Sequence, residues 1–217
     1  MSQVVDIPEP EVLEAVAFAG EALGPFFLED PGKGSAGASF EAFAALDVSA
    51  AAEEWPFGAR EEVQCGLANM VGGLAGGVTD ELTWEFRRLF VGPGHKAAAP
   101  WGSVYTDHDG VIFGVSALDL ADWMRTHGIA RLARDGEPQD HIGLLLMLMA
   151  WIARNRPELL REFCRDHFFT WSSHYLVRLE RASEHPFYTG LAELTRTSLE
   201  GIERSLGLEV THPRFFR

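Results

Sequence analysis

The sequence predicts an all-α fold, a helical bundle of roughly eight to eleven helices, and three observations point to it. The run from Ile142 to Ala153 carries no charge, and a helix that is apolar on every side has no solvent face and belongs inside a bundle. Elsewhere apolar residues recur at helical intervals, and no segment alternates apolar and polar residues for the length of a useful strand. Proline, glycine and capping residues punctuate the chain at helix-sized spacings. The uncharged run is bounded by His141 and Arg154, and falls short of the ~20 residues a membrane span needs.

In chain order, Val12, Leu13, Val16, Ala17, Phe18, Ala19, Ala22 and Leu23 have helical spacing between Glu9 and Phe27, with Gly24-Pro25 as the expected stop. Residues 31–38 read as a flexible loop, rich in glycine. Short helices are expected from Ser39 to Leu46 and onward to Trp55, where Pro56 ends them. Glu61 to Leu74 is amphipathic, weakened by Gly72-Gly73. Thr79 can cap the next helix, whose first turn holds Asp80 and Glu81 against the positive end of its dipole. That helix presents Leu82, Phe86, Leu89 and Phe90 and stops at Gly92-Pro93-Gly94. Residues 92–114 read as a loop region, with Val111 to Phe113 as a very short extended piece. Ser116 is the expected cap of a helix from Ala117 to His127. The buried central helix is expected over about 138–155, with Pro138 in its first turn and Asp140 beside its dipole. Pro157 opens a helix through His167, Thr170 caps another, and Pro186 opens the last, which reaches Leu206. The whole chain, residues 1–217, reads as a single domain without solenoid repeats.

Eighteen basic against thirty-two acidic residues leave a formal charge of −14. That field repels a phosphate backbone and attracts a cationic peptide, so nucleic acid is excluded as the expected partner. Cys65 and Cys164 stand far apart, outside any CxxC pattern. Such usage fits buried thiols in a reducing compartment and leaves one disulfide open. The segment from Met1 to Glu9 has neither a basic region nor an apolar signal core, so the expectation is a soluble cytoplasmic protein.

One constellation stands at the head of the central helix. Glu137 and His141 are four residues apart, hence neighbours on a helical turn, with Asp140 beside them. A carboxylate and an imidazole so placed suit general acid–base chemistry or two metal ligands. Equally, acids cap a helix while the histidine bonds inward. His167 and His174 are seven apart, with Thr170 as a natural break between them. No HExxH or phosphate-cradling glycine motif is present. Aromatic residues are dense in the middle of the chain, and Trp101 sits in a Pro/Gly-framed loop where a large ring can line a groove. Met147 and Met149 fill a core or suit an adaptable apolar surface.

The succession Leu89-Phe90-x-Gly92-Pro93, Pro100-Trp101-Gly102-Ser103-Val104-Tyr105, Phe113-Gly114, Glu137-Pro138-x-Asp140-His141 and His185-Pro186-Phe187-Tyr188 resembles the TorD/DmsD family of redox-enzyme maturation chaperones, the DmsD branch in particular. The resemblance runs from about Trp84 to the final Pro213-Arg214-Phe215-Phe216-Arg217. It implies an all-helical cytoplasmic chaperone that binds the twin-arginine signal peptide of a dimethyl sulfoxide reductase-type molybdoenzyme. Such a chaperone holds the catalytic subunit for cofactor insertion and then releases it to twin-arginine translocation. Carried over by motif, the binding positions are Leu89, Phe90, Trp101, Ser103, Gly114, Pro138, Asp140 and His141. Phe86 and Gly94 stand where the branch has tryptophans. No catalytic residue, metal or cofactor is implied; guanine nucleotide attaches to the family by resemblance alone. The expected state is a monomer, with a domain-swapped dimer as the alternative, and contact with the export machinery is transient.

A twin-arginine leader carries two guanidinium groups followed by an apolar stretch. Glu137 and Asp140 suit the arginines, with Asp107 and Asp109 in reserve. Leu89, Phe90 and Trp101 suit the apolar stretch, and His141 beside two acids is expected to titrate near neutrality. Two other readings stand beside this one. One is a hydrolase using Asp140 and His141, with or without a metal. The other is a helical adaptor that binds a folded protein through its acidic face.

Overall fold

The structure, a computed structural model, describes residues 7–34, 36–91, 96–112, 114–130 and 138–217. Its described residues form eleven α-helices, one 3-10 turn and one π turn, with no strand among them. The chain clusters into two compact units, each discontinuous in sequence. The first comprises Met1–Gly24, Trp101–Ser172 and Ile202–Arg217, and the second Pro25–Pro100 and Ser173–Gly201.

The uncharged run becomes helix α8, Ile142–Asn155, in the first unit, and all but a few of its side chains are buried. Among its large apolar side chains Trp151 is exposed, at 38%. Helix α1, Pro10–Leu28, packs against it through two glycines four residues apart. A Cβ on Gly20 would come 2.4 Å from the Leu146 carbonyl oxygen, and one on Gly24 would come 3.0 Å from the Met147 side chain. Contrary to expectation, Gly24-Pro25 does not end α1. Gly24 serves close approach rather than a left-handed cap, so the helix absorbs Pro25 within it. Arg154 near the end of α8 reaches Glu14 and Glu21 of α1 at 2.8 and 2.9 Å.

Helix α7, Val115–Thr126, starts two residues before the expected Ala117. Its cap is borrowed: the Val115 N–H donates to Asp107 Oδ2 at 2.6 Å, while Ser116 pairs with the Thr106 hydroxyl. A four-residue helix, α6 (Ser103–Thr106), lies inside the expected loop. After the 3-10 turn Pro157–Leu159, helix α9 (Leu160–Phe163) passes through a π turn (Cys164–Phe168) into α10, Phe169–Ala182. Thr170 therefore caps nothing; the extra residue of the π turn keeps the chain helical where a break was expected. Val111 and Ile112, expected in an extended piece, join no strand; Phe113 lies outside the described residues.

In the second unit, α2 (Ala36–Ala44) begins within the expected 31–38 loop. Helices α3 (Val48–Glu54), α4 (Arg60–Gly73) and α5 (Asp80–Phe90) follow the expected bounds closely. Thr79 Oγ1 accepts the Leu82 N–H at 3.2 Å, the cap its sequence promised. Helix α11, Pro186–Ser205, opens on its proline as expected. It brings Phe187 against Phe26 and Phe40, with ring centroids 5.3 and 5.1 Å apart. Cys164 is buried, its thiol pushed up by burial, whereas Cys65 is exposed; both are free thiols. Among the described residues no helix is long and apolar enough to cross a membrane.

Candidate functional site

The head of α8 is built from local chain chemistry. The helix begins at Ile142, four residues later than expected, because His141 is its cap: the ring Nδ1 accepts the Gly143 N–H at 3.1 Å. Pro138 therefore lies before the helix, not in its first turn. Asp140 faces the other way, toward the 101–106 segment. Its backbone carbonyl accepts the Gly102 N–H at 3.2 Å, and its Oδ2 accepts the Ser103 N–H at 2.7 Å. Trp101 and His141 add an isolated antiparallel bridge, with their rings edge-on at 5.9 Å. Gly102 is required here, since a Cβ would lie 2.5 Å from the Trp171 ring. Tyr105 stacks on the same ring at 6.3 Å and 14°. At Gly114 the Asp107 carboxylate occupies the space a side chain would need, so a substitution there would push the α7 cap aside.

This arrangement corrects the electrostatic expectation. Asp140 is 2% exposed and His141 3%, so they do not form a charged mouth open to solvent. Burial holds His141 down to about 3, and it stays neutral where the sequence suggested titration near pH 7. Burial pushes Asp140 above its ordinary value, partly offset by the hydrogen bond from Ser103. Three buried polar atoms of this cluster have no partner among the described residues: Trp101 Nε1, Ser103 Oγ and Asp140 Oδ1. Unmet buried polar groups are costly and rare, although the Ser103 hydroxyl also contributes to lowering the Asp140 carboxyl. Of the reserve acids, Asp107 caps α7, whereas Asp109 lies exposed beside the equally exposed His108 at 3.0 Å. Glu137, and Gly94 in the other motif, lie outside the described residues.

Trp101, Ser103, Gly114, Pro138, Asp140 and His141 thus belong to the first unit. Phe86, Leu89 and Phe90 belong to the second, where they are 2%, 2% and 5% exposed. They form its core with Tyr188, at 5.2 Å from Phe86 to Phe90 and 5.6 Å from Phe90 to Tyr188. The expected apolar shelf of Leu89 and Phe90 is therefore not open to solvent: α5 turns that face inward and leaves Trp84 59% exposed. Trp84 instead borders a 430 Å³ cavity with Asp80, Glu81, Glu85, Glu184 and His185. Glu85 is buried and its carboxyl, which burial would raise, is brought below the usual range by Arg88 and the Glu184 N–H.

Sequence reasoning missed the open apolar surface of the first unit. A 350 Å³ cavity is lined by Ala117, Leu118, Ala121, Met124, Arg125, Ile129 and Gln139. Of that lining Leu118 is 61% exposed, as is Val115 at the start of the same helix, and Val111 and Ile112 just before it are also exposed. The signal was present in α7. Its buried set is Ala117, Leu120, Trp123 and Met124, so Val115 and Leu118 form a second apolar stripe that no core explains. Asp119 and Asp122 are exposed on the same helix. No group of three or more metal-ligating side chains forms among the described residues.

Comparison with known proteins gives the family and the fold. A family model described as Nitrate reductase delta subunit matches residues 59–176. The chain is 44% identical over 141 residues to a protein named "Probable Tat proofreading chaperone DmsD" of Haemophilus influenzae, covering 65% of this chain and 70% of that one. It is 39% identical over 139 residues to the Tat proofreading chaperone DmsD of Salmonella typhimurium, covering 64% and 68%. A solved structure described as a redox enzyme maturation protein, from Archaeoglobus fulgidus, shares the fold at a TM-score of 0.52 and 21% identity, covering 87% of this chain and 93% of that one. The two DmsD relatives are named as chaperones, and nothing among these comparisons supports the hydrolase reading. The chain belongs to the TorD/DmsD family of redox-enzyme maturation chaperones, within the nitrate reductase delta subunit group.

Proposed function

We propose that this chain is a cytoplasmic proofreading chaperone that binds the twin-arginine leader of a dimethyl sulfoxide reductase-type molybdoenzyme and holds its catalytic subunit until the cofactor is inserted. The observation that carries the reading is the 44% identity across 70% of a chaperone named for Tat proofreading. The geometry supports it through the first unit. The apolar half of the leader lies on Val115 and Leu118 and into the α7 cavity, where its residues leave water.

Asp140 and His141 act in this reading as positioning residues. They hold the 101–106 segment against the head of α8 and do not grip arginine from solvent. Burying ~400 Å² of apolar surface contributes roughly 10 kcal/mol gross, and ordering a flexible peptide offsets much of it. Micromolar, reversible binding follows.

The test is isothermal titration of the chain with a synthetic leader peptide from such an enzyme of the same organism. Micromolar or tighter binding, weakened by salt in its arginine-dependent part, is expected. A chain that binds the folded enzyme but not the isolated leader would instead be an adaptor.

A further inference from the structure

Residues 208–217 form no helix, yet they are not loose. The Phe216 N–H donates to the Tyr105 carbonyl at 3.0 Å, and His212 Nδ1 meets the Thr170 carbonyl at 3.1 Å. The Phe216 ring stands edge-on to His108 at 5.4 Å, and the Arg214 guanidinium lies over Phe216 at 5.5 Å. The Arg217 side chain rests against Gly110, where a Cβ would come within 2.8 Å of its Nε. Gly110 has φ +56°, a conformation that favours glycine, so the bare backbone that admits Arg217 is part of the turn. All these residues are in the first unit. Tyr105 is two residues from Ser103, whose hydroxyl is among the unpartnered buried atoms of the α8 head.

The seated segment, Arg214-Phe215-Phe216-Arg217, places two guanidinium groups beside two apolar rings in a chain whose formal charge is −14. Its hold is shallow: Phe216 remains 40% exposed. We propose that the track formed by the Tyr105 carbonyl, the His108 ring and Gly110 is a binding seat for an extended peptide that pairs guanidinium groups with large apolar side chains. In the free protein Arg214–Arg217 fills it, and the arginine-bearing end of the client leader displaces them. The displacing ligand rests on the leader reading above; the seat itself does not.

A segment seated nine-tenths of the time lowers the leader's apparent affinity about tenfold. At the effective concentration of roughly 1 mM that a short tether gives, the same occupancy corresponds to a Kd of about 0.1 mM for the free segment. The experiment uses the full chain, its Arg214→Ala/Phe216→Ala/Arg217→Ala variant, a synthetic heptapeptide of residues 211–217, and the leader peptide. The variant is expected to bind the heptapeptide near 0.1 mM, to bind the leader about tenfold more tightly than the parent chain, and to release the heptapeptide when leader is added. Phe216→Ala alone gives a smaller gain in the same direction and serves in place of the triple variant if that loses helicity. No heptapeptide binding to the variant overturns the seat. Equal or weaker leader binding by the variant overturns the displacement. If the leader binds neither protein while the heptapeptide binds the variant, the leader reading fails and the seat stands.

Discussion

Asp140 accepts the backbone N–H of Ser103 at 2.7 Å, across 37 residues of sequence, while its second carboxylate oxygen has no partner among the described residues. One oxygen thus fastens the 101–106 segment to the head of α8 and the other is held unmet. Asp140→Ala strands the Ser103 N–H and should cost about 1–3 kcal/mol in urea unfolding. Asp140→Asn keeps the acceptor and removes a buried charge, so its cost should be well below that of alanine.

The same pair has a pH signature. Burial raises Asp140 in the folded state above its ordinary value of 3.8, so the native chain holds a proton that the unfolded chain has lost. Stability from this group is full below pH 3.8 and declines as pH rises through the folded value. Asp140→Asn lacks that decline. The stability difference, asparagine minus aspartate, should therefore grow as pH rises through the acidic range. A difference independent of pH would show that Asp140 is not desolvated.

His141 has the opposite sign. Its folded value is held near 3, against 6.5 when unfolded, so stability present above pH 6.5 is lost as pH falls from 6.5 toward 3. The loss is about 1.4 kcal/mol per pH unit for a single proton. His167 and His185 are also lowered by burial, so the measurement is a difference between proteins. His141→Asn preserves a helix-capping acceptor and should flatten the acid limb of the stability curve by about one proton. An unchanged slope would mean that His141 is solvated.

Trp101 separates packing from recognition. Its Nε1 is buried without a partner among the described residues, and an unmet donor stabilises nothing. Trp101→Phe should leave thermal stability unchanged or slightly higher. Leader affinity should fall about three- to tenfold if that donor is reserved for the ligand, an effect of roughly 1 kcal/mol. Calorimetry on the two proteins gives both numbers.

Gly20 tests the contact that seats α8. A side chain there would meet the Leu146 carbonyl at 2.4 Å and Ala150 at 3.0 Å. Gly20→Val should therefore destabilise by about 1–3 kcal/mol or more through overpacking. Arg154→Ala removes only the exposed links to Glu14 and Glu21 and should change stability far less. The reverse ranking would place the α1–α8 energy in charge rather than in close approach.

Much of this was legible in the residues. The uncharged run announced a buried helix, Thr79 and Pro186 marked helix starts, and the Pro-x-Asp-His motif carried the family resemblance. What failed did so for tertiary reasons. Gly24 and Pro25 look like a stop, and Ser116 like a cap. Packing of α1 on α8 and the carboxylate of Asp107, eight residues before Val115, decide otherwise. The charges of Asp140 and His141 suggested an open mouth because sequence spacing reveals neighbours but not burial. Leu89 and Phe90 suggested a shelf for the same reason. The exposed stripe of Val115 and Leu118 was readable in principle, but only after the buried face of α7 was known.

The most direct test is a titration of leader peptide into the chain and into Leu118→Glu. Leu118 is 61% exposed and lines the α7 cavity, so the substitution should leave the fold intact. It should weaken leader binding tenfold or more, about 1.4 kcal/mol. Undiminished affinity in Leu118→Glu, with helicity and unfolding unchanged, would contradict the placement of the leader on this face.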